Sequence, residues 1–206
     1  MAGIIFDLDG TIADSFDHVA AFMAKQAGIK HLNPIEKNLL RGMSMVGMAR
    51  RLGFHWWHGP MLLHKGRREM SKNMHLFKSF PGIPDLIKKL HAEGHELFVL
   101  SSNSKKNIKY FLKHQKLEKY FVDYYGGIGV FSKTPALRRL LKDHEIDVKD
   151  AVYIGDEVRD IEAARAIGLR IIAVSWGFAS RDNLVAAKPM QVIDSSDELI
   201  DILEEI

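Results

Sequence analysis

The stretch Gly3-Ile4-Ile5-Phe6-Asp7-Leu8-Asp9-Gly10-Thr11, residues 3–11, is a short apolar run that ends in two carboxylates and a glycine. A short apolar run bounded by turn residues is typical of a buried strand in a parallel sheet. Four more such runs occur at residues 97–100, 151–154, 171–174 and 191–193. Helical patterns occupy residues 83–93, 105–114, 135–144, 159–167 and 197–205. This alternation predicts an α/β fold with a doubly wound parallel sheet.

The segment from Phe16 to about residue 79 interrupts the alternation, because it has helical periodicity and no convincing strand. Asn33-Pro34 and His58-Gly59-Pro60 are its predicted turns, and Phe80-Pro81-Gly82 returns the chain to the sheet. We therefore predict two domains. Residues 1–15 and 80–206 form the α/β core, and residues 16–79 form a small, all-helical inserted domain.

Composition indicates a soluble globular protein. The 206 residues are 47% hydrophobic and 27% charged, and cysteine is absent. No membrane span and no secretion signal is recognisable, so we expect a cytoplasmic location. The net charge of +3 is unevenly distributed, because residues 15–80 carry eleven basic and three acidic side chains, a balance of +8. Such a segment can attract anions or can simply be a solvated helical surface.

Polar residues follow the predicted strands at the points where ligands bind in open α/β sheets. Asp7 and Asp9 follow the first strand, Asp156 and Asp160 follow a later one, and Lys133 opens a helix. Residues 101–104, Ser-Ser-Asn-Ser, follow a third strand. Four carboxylates in one place repel each other unless a cation joins them. Hard oxygen ligands suit Mg²⁺, so we expect a divalent cation there.

These motifs, in this order, resemble those of the haloacid dehalogenase superfamily, and most closely its phosphoglycolate-phosphatase-like branch. The matching segments are residues 7–11 with Asp14-Ser15, residues 100–103, Lys133 and residues 155–160. The resemblance implies a Rossmann-like core with a helical cap domain, and a Mg²⁺-dependent phosphatase acting on a small phosphate monoester.

In this resemblance, Asp7 is the nucleophile that forms an aspartyl-phosphate, and Asp9 is the general acid and base. Ser102 contacts the transferring phosphoryl group, although strand alternation alone leaves Ser101 open. Lys133 neutralises phosphate charge and holds Asp7.

The resemblance also assigns binding residues. Thr11 and Asn103 are implied in phosphate binding. Asp7, Asp9 through its backbone carbonyl, and Asp156 are implied in Mg²⁺ binding. Asp160 either orients Lys133 or ligates the metal through water, and a purely structural role at the helix start stays open.

The predicted insertion resembles the family's cap, with residues 40–44 as its substrate-specificity loop. Arg41 is a candidate for gripping the far end of the substrate, with a solvated helix-end cation as the alternative. The segment Phe54-His55-Trp56-Trp57-His58 could bind zinc or stack on bases, but an aromatic core is the better interpretation.

Three other functions can be compared with a phosphatase. A dehalogenase has no use for the acid Asp9. A sugar-phosphate mutase would carry an Arg where this chain has Met45. A non-catalytic protein that binds nucleic acid through the basic segment would be expected to have lost a catalytic residue. We expect a small phosphorylated metabolite as partner, no nucleic acid and no membrane, and a monomer or homodimer.

Overall fold

The computed structural model describes residues 2–129 and 133–204. Its strands are β1 (Gly3–Phe6), β2 (Ala13–Asp14), β3 (Lys78–Ser79), β4 (Glu96–Leu100), β5 (Asp123–Tyr125), β6 (Ala151–Gly155), β7 (Arg170–Val174) and β8 (Gln191–Ile193). Its α-helices are α1 (Phe16–Gln26), α2 (Pro34–Leu40), α3 (Met45–Arg51), α4 (Gly59–Asn73), α5 (Ile83–Ala92), α6 (Lys105–His114), α7 (Lys133–Asp143), α8 (Val158–Arg165), α9 (Arg181–Ala186) and α10 (Ser196–Glu204). Short 3₁₀ helices cover Trp56–His58, Met74–Leu76, Glu118–Tyr120 and Val148–Asp150.

Six strands form one parallel sheet in the order β5-β4-β1-β6-β7-β8. Alternate residues of β1 point to opposite faces, so Ile4 and Phe6 enter one apolar cluster and Ile5 enters another. Helices cover both faces, which explains why the strands are continuous apolar runs. The predicted α/β class, with a parallel sheet between two helical layers, is confirmed.

The predicted strands and helices of the core are present, with ends that differ by one or two residues. Three elements were not predicted: the edge strand β5, the helix α9, and a two-stranded antiparallel ribbon of β2 and β3. The predicted helix at residues 197–205 corresponds to α10, and residue 205 lies outside the described residues. The ribbon joins the points where the chain enters and leaves the helical segment.

The insertion predicted as all-helical over residues 16–79 is helical only to residue 76, because Lys78–Ser79 form β3; it contains α1 to α4 and has its own apolar cluster. Phe16, Val19 and Met23 of α1 pack there against Met48 and Leu62. Phe178, which follows β7, joins the same cluster, so the insertion packs directly on the sheet domain. Of the residues that the structure describes, none lies in a helix long and apolar enough to cross a bilayer.

Candidate active site

The site lies at the carboxyl ends of three neighbouring strands. Asp7 follows β1, Ser101 follows β4 and Asp156 follows β6. Because β4, β1 and β6 are adjacent and parallel, the residues that follow them meet at one edge of the sheet. All three are buried, although they are polar or charged. Buried polar groups need partners, and these partners define the geometry of the site.

Lys133, the first residue of α7, connects the two ends of the acidic cluster. Its Nζ lies 2.5 Å from Asp7 Oδ2, donates to Asp160 Oδ1, and lies 3.0 Å from the Tyr153 hydroxyl. Burial disfavours the charged amine, but Asp160 and Asp7 outweigh it and raise the pKa of Lys133. The ammonium group therefore stays charged and fixes the Asp7 carboxylate.

The two carboxylates that Lys133 contacts differ in their proton affinity. Burial raises the pKa of Asp7 to about 7, with Lys133 opposing the increase and Asp160 adding to it. Burial would also raise the pKa of Asp160, but Lys133 and Arg159 together lower it below its ordinary value. Asp160 is thus the ionised partner of Lys133. The negative charge of Asp7 is only partly compensated by Lys133.

Asp156 has the strongest need for a cation. Burial and the charges of Glu157 and Asp7 raise its pKa well above the ordinary value. Carboxylate oxygens of Asp7, Asp156 and Asp160 lie within 4.8 Å of one another. A buried cluster of oxygen ligands with excess negative charge suits Mg²⁺. Asp160 has the least need of a further cation, because Lys133 and Arg159 already hold its pKa below the ordinary value, and its Oδ2 accepts from the Glu157 N–H at 3.0 Å.

Asp9 lies beside the cluster. Its Oδ2 accepts from Asn103 Nδ2 at 3.2 Å. Burial raises the pKa of Asp9, and the neighbouring Ser15 hydroxyl and the Asn103 amide oppose that increase. A carboxyl group with a raised pKa is suited to giving and taking a proton.

The structure distinguishes the two serines after β4. Ser101 is fully buried, and its Oγ accepts the Asn103 N–H at 3.0 Å. Ser102 lines a cavity beside Asp9, together with Asn103. The Asn103 side chain is held by Asn107, whose Nδ2 donates to Asn103 Oδ1 at 2.7 Å. Ser102 is thus the serine that lines the cavity, and its contact with a phosphoryl group stays a prediction.

Thr11 differs from its predicted role. Its side chain is fully buried, and its Oγ1 donates to Asp156 Oδ1 at 3.0 Å. The other oxygen of Asp156 accepts the Phe178 N–H at 2.8 Å. Since its hydroxyl proton is used on Asp156, Thr11 orients this carboxylate, and the structure does not bring its side chain to the cavity as a phosphate contact.

Two glycines keep the space around Asp156 open. A Cβ atom on Gly10, which has φ +84°, would lie 2.1 Å from Asp156 Oδ2. A Cβ atom on Gly177 would lie 2.3 Å from the Asp156 Cβ. Both distances are far below van der Waals contact, so only glycine fits beside this carboxylate.

The helical insertion contacts the strand ends directly. The Gly42 N–H donates to the Phe178 carbonyl at 2.8 Å, and the Met45 N–H donates to Glu157 Oε2 at 3.2 Å. On the other side, Arg67 Nε and Nη2 donate to the carbonyls of Ser102 and Ile128 at 2.8 and 3.0 Å. The space between the insertion and the strand ends is a cavity of about 320 Å³.

Arg41, predicted to grip the substrate, is not among the residues that line this cavity. Its guanidinium lies over the Phe16 ring, 4.2 Å from the ring centre, and 3.7 Å from Asp17 Oδ1. Its side chain is about half exposed. In this arrangement Arg41 is a surface cation of the insertion, and the predicted specificity loop contacts the sheet domain through Gly42 instead.

The prediction that residues 54–58 form an aromatic core is wrong for most of the segment. Trp56 is 86% exposed and Trp57 is 56% exposed, whereas Phe54 is partly buried. His55 stacks on Trp57, and its N–H donates to His58 Nδ1. The tryptophans lie outside the core because the insertion fills its interior with α1, Met48 and Leu62. Trp56 lines the mouth of the cavity.

Sequence reasoning missed two residues that contact the site. Tyr153 is fully buried on β6, and its hydroxyl lies 3.0 Å from Lys133 Nζ and 3.3 Å from Asp160 Oδ1. A tyrosine inside an apolar strand was the available signal, since a buried hydroxyl usually has a partner. Arg67 gave no signal, because it is one of many basic residues in the helical insertion.

Comparison with known proteins agrees with this geometry. The sequence pattern of the haloacid dehalogenase-like hydrolases matches residues 4–174. A phosphoglycolate phosphatase of Synechococcus elongatus is 35% identical, over 100% of this chain and 99% of its own length. A phosphoglycolate phosphatase of Vibrio vulnificus is 27% identical, over 97% and 95%. The crystal structure of a predicted phosphatase from Clostridium acetobutylicum has a TM-score of 0.84 at 26% identity, over 100% and 99%.

Proposed function

The chain belongs to the haloacid dehalogenase-like hydrolases, and we propose that it is a Mg²⁺-dependent phosphatase that hydrolyses a small phosphate monoester through an aspartyl-phosphate. The observation that carries this proposal is the Asp7 carboxylate, fixed by Lys133, two residues before Asp9, whose carboxyl group lines the cavity. One carboxylate is held as a nucleophile, and its neighbour has a raised pKa that suits proton transfer. The names of the relatives support a phosphatase.

In the first step, a carboxylate oxygen of Asp7 attacks phosphorus. The Asp7–phosphorus bond forms, the bond from phosphorus to the ester oxygen breaks, and Asp9 gives its proton to the departing alcohol. Lys133 holds Asp7 in place at 2.5 Å, and the Leu8 N–H donates to Asp7 Oδ1 at 2.7 Å. Fixing the nucleophile lowers the entropic part of the barrier.

In the second step, Asp9 takes a proton from water, and the water oxygen attacks phosphorus of the aspartyl-phosphate. The bond between phosphorus and Asp7 breaks, and inorganic phosphate leaves. The Ser102 hydroxyl and the Asn103 amide are the proposed donors to the phosphoryl oxygens, and Lys133 contributes its positive charge while it holds Asp7. Fixed donors around the transferring group supply most of the rate enhancement in phosphoryl transfer.

Asp7, Asp156 and the backbone carbonyl of Asp9 would hold Mg²⁺ in this proposal. When bound, the ion neutralises negative charge on the phosphoryl group and on the carboxylates. Thr11 and the Phe178 N–H orient Asp156 toward that position, and Asp160 serves Lys133. We assign Asp160 a positioning role, because Lys133 and Arg159 hold its pKa below the ordinary value, whereas burial raises the pKa of Asp7 and Asp156.

Residues 16–79 act as a cap domain over this centre, and a small phosphorylated metabolite is the proposed partner. Hydrolysis is favoured over phosphate transfer between sugar positions by Met45, which lines the cavity with a thioether where a mutase would carry a cation. Phosphoglycolate, the substrate in the relatives' names, is one candidate.

The test is phosphate release from a panel of monoesters with Mg²⁺ and with EDTA. Asp7→Asn should abolish turnover, and Asp85→Asn, a substitution of an exposed carboxylate on α5, is the matched control. Brief incubation with an ester labelled in its phosphoryl group, followed by an acid quench, should leave label bound to the unsubstituted protein. The Asp7→Asn protein should carry no label. Retained turnover in Asp7→Asn would rule out the covalent mechanism.

A further inference from the structure

The wall of the cavity above Asp9 and Ser102 is built from apolar side chains of the helical insertion. α1 contributes Val19 and Phe22, α3 contributes Met45, and α4 contributes Leu63 and Met70. The cavity volume of about 320 Å³ is the volume that roughly ten water molecules occupy in liquid water. Glycolate, with two carbon atoms, would leave most of this apolar space filled with water.

The charged groups of the lining do not form a site for a second anion. The lining contains two arginines, Arg50 and Arg67, and two acidic residues, Glu69 and Asp9, of which Asp9 carries the proton for the leaving group in the proposed first step. Arg67 uses Nε and Nη2 on the carbonyls of Ser102 and Ile128. Arg50 is exposed to solvent at the edge of the cavity. A carboxylate on the leaving group would therefore meet Glu69 and apolar walls without a dedicated cation.

We propose that the site takes phosphate monoesters whose alcohol is apolar, with the phosphoryl group on Asp7 and an alkyl or arylalkyl group against the walls formed by α1, α3 and α4. This inference rests on the proposed function for the placement of the phosphoryl group. The walls are mobile and polarisable where Met45 and Met70 line them, which suits alkyl chains and aromatic rings alike.

The experiment compares esters of primary alcohols, whose leaving groups have similar reactivity: methyl, butyl, isopentyl and 2-phenylethyl phosphate, with phosphoglycolate. The ratio kcat/KM should increase by roughly fourfold for each methylene group that the cavity buries. The matching alkylphosphonates, which cannot be hydrolysed, should show the same trend in Kd, measured with Mg²⁺ by calorimetry.

Ala49→Phe fills the cavity from α3 and should weaken 2-phenylethylphosphonate at least tenfold while changing methylphosphonate less than twofold. Ala92→Phe, which adds the same side chain on the exposed face of α5, should change neither. If Ala49→Phe does not fold, Leu63→Ala, which removes part of the wall, should flatten the chain-length trend.

A Kd that does not change with chain length, or a kcat/KM for phosphoglycolate above that for all alkyl esters, would overturn the inference. Absence of turnover for every ester, combined with a clear chain-length trend in phosphonate binding, would overturn the proposed function and support the apolar ligand class.

Discussion

Replacing Lys133 by Met tests how the acidic cluster is held together. The Lys133 side chain is 2% exposed and pairs with Asp7 and Asp160, which are 4% and 0% exposed. Methionine keeps most of the volume and removes the charge. Breaking a buried ion pair by removing one partner costs about 3–5 kcal/mol, because the remaining charge stays buried and uncompensated. For a chain of this size, we expect the melting temperature at pH 7 to fall by roughly 6–20 °C.

The loss of stability in Lys133→Met should depend on pH, and the direction of that dependence follows from the pKa shifts. Lys133 and Arg159 lower the pKa of Asp160 in the folded protein, against the effect of burial. A carboxylate with a lowered pKa stabilises the fold above its unfolded pKa of about 4, and this contribution is lost as pH falls through the folded pKa. The difference between the unsubstituted and Lys133→Met proteins should therefore be largest above neutral pH, should shrink as Asp7 takes up a proton around pH 7, and should shrink further below about pH 4 as Asp160 does.

The assay is thermal unfolding in EDTA at pH 7, 5 and 3.5. Lys88→Met is the control, because Lys88 pairs with Asp85 at 2.8 Å on the exposed face of α5 and should contribute little. An unchanged melting temperature for Lys133→Met at pH 7 would refute the reasoning. So would a deficit of the same size at pH 3.5, since it would indicate lost packing and not lost charge.

Three further predictions concern the surroundings of the cluster. Tyr153→Phe removes a buried hydroxyl 3.0 Å from Lys133 Nζ, and we expect the free energy of unfolding in urea to fall by about 1.5–3 kcal/mol. We also expect a lower kcat with little change in KM. A change in KM alone would contradict a role of Tyr153 in positioning Lys133. Because burial raises the pKa of Asp7 to about 7 and raises that of Asp156, Mg²⁺ must displace protons when it binds. The Kd of Mg²⁺, measured by calorimetry, should therefore increase as pH falls from 8 to 6. A Kd that does not depend on pH would exclude these two carboxylates as ligands. Gly177→Ala places a Cβ 2.3 Å from the Asp156 Cβ and should weaken Mg²⁺ binding at least tenfold by calorimetry. Gly59→Ala, at a position without positive φ and with no atom within 4 Å of the added Cβ, should leave Mg²⁺ binding unchanged.

The sheet could be predicted from the sequence because its central strands are buried on both faces. Residues 4–6 and 151–154 are uninterrupted apolar runs. Short runs of this kind are typical of strands that are buried on both faces of a parallel sheet. The edge strand β5 has only three residues, Asp-Tyr-Tyr, and all three are half-buried. They therefore form no apolar run from which a strand could be predicted. The ribbon of β2 and β3 has two residues per strand and depends on the fold that brings its ends together.

The candidate site could be predicted where backbone position alone determines a residue's location. Asp7 and Asp156 follow adjacent parallel strands, so their meeting is a consequence of topology. The directions of side chains in loops are set by local partners instead. Thr11 turns to Asp156, and Arg41 turns to Phe16 and Asp17. Both residues have the right chemistry for phosphate or carboxylate, and only the three-dimensional structure shows that this chemistry is used elsewhere.

The two parts of the chain therefore contribute different determinants of activity. The carboxylates, Lys133 and their hydrogen bonds come from the sheet domain, and their net negative charge calls for a cation whatever ester is bound. The walls of the cavity come from the helical insertion and are apolar, so they discriminate among alcohols and contribute little to the charge balance at phosphorus. Substitutions on the walls should then change the ranking of esters, whereas substitutions in the acidic cluster should reduce the rate for all of them. Arg41 is not among the residues that line the cavity, so it can attract phosphorylated anions by long-range electrostatics without selecting among them.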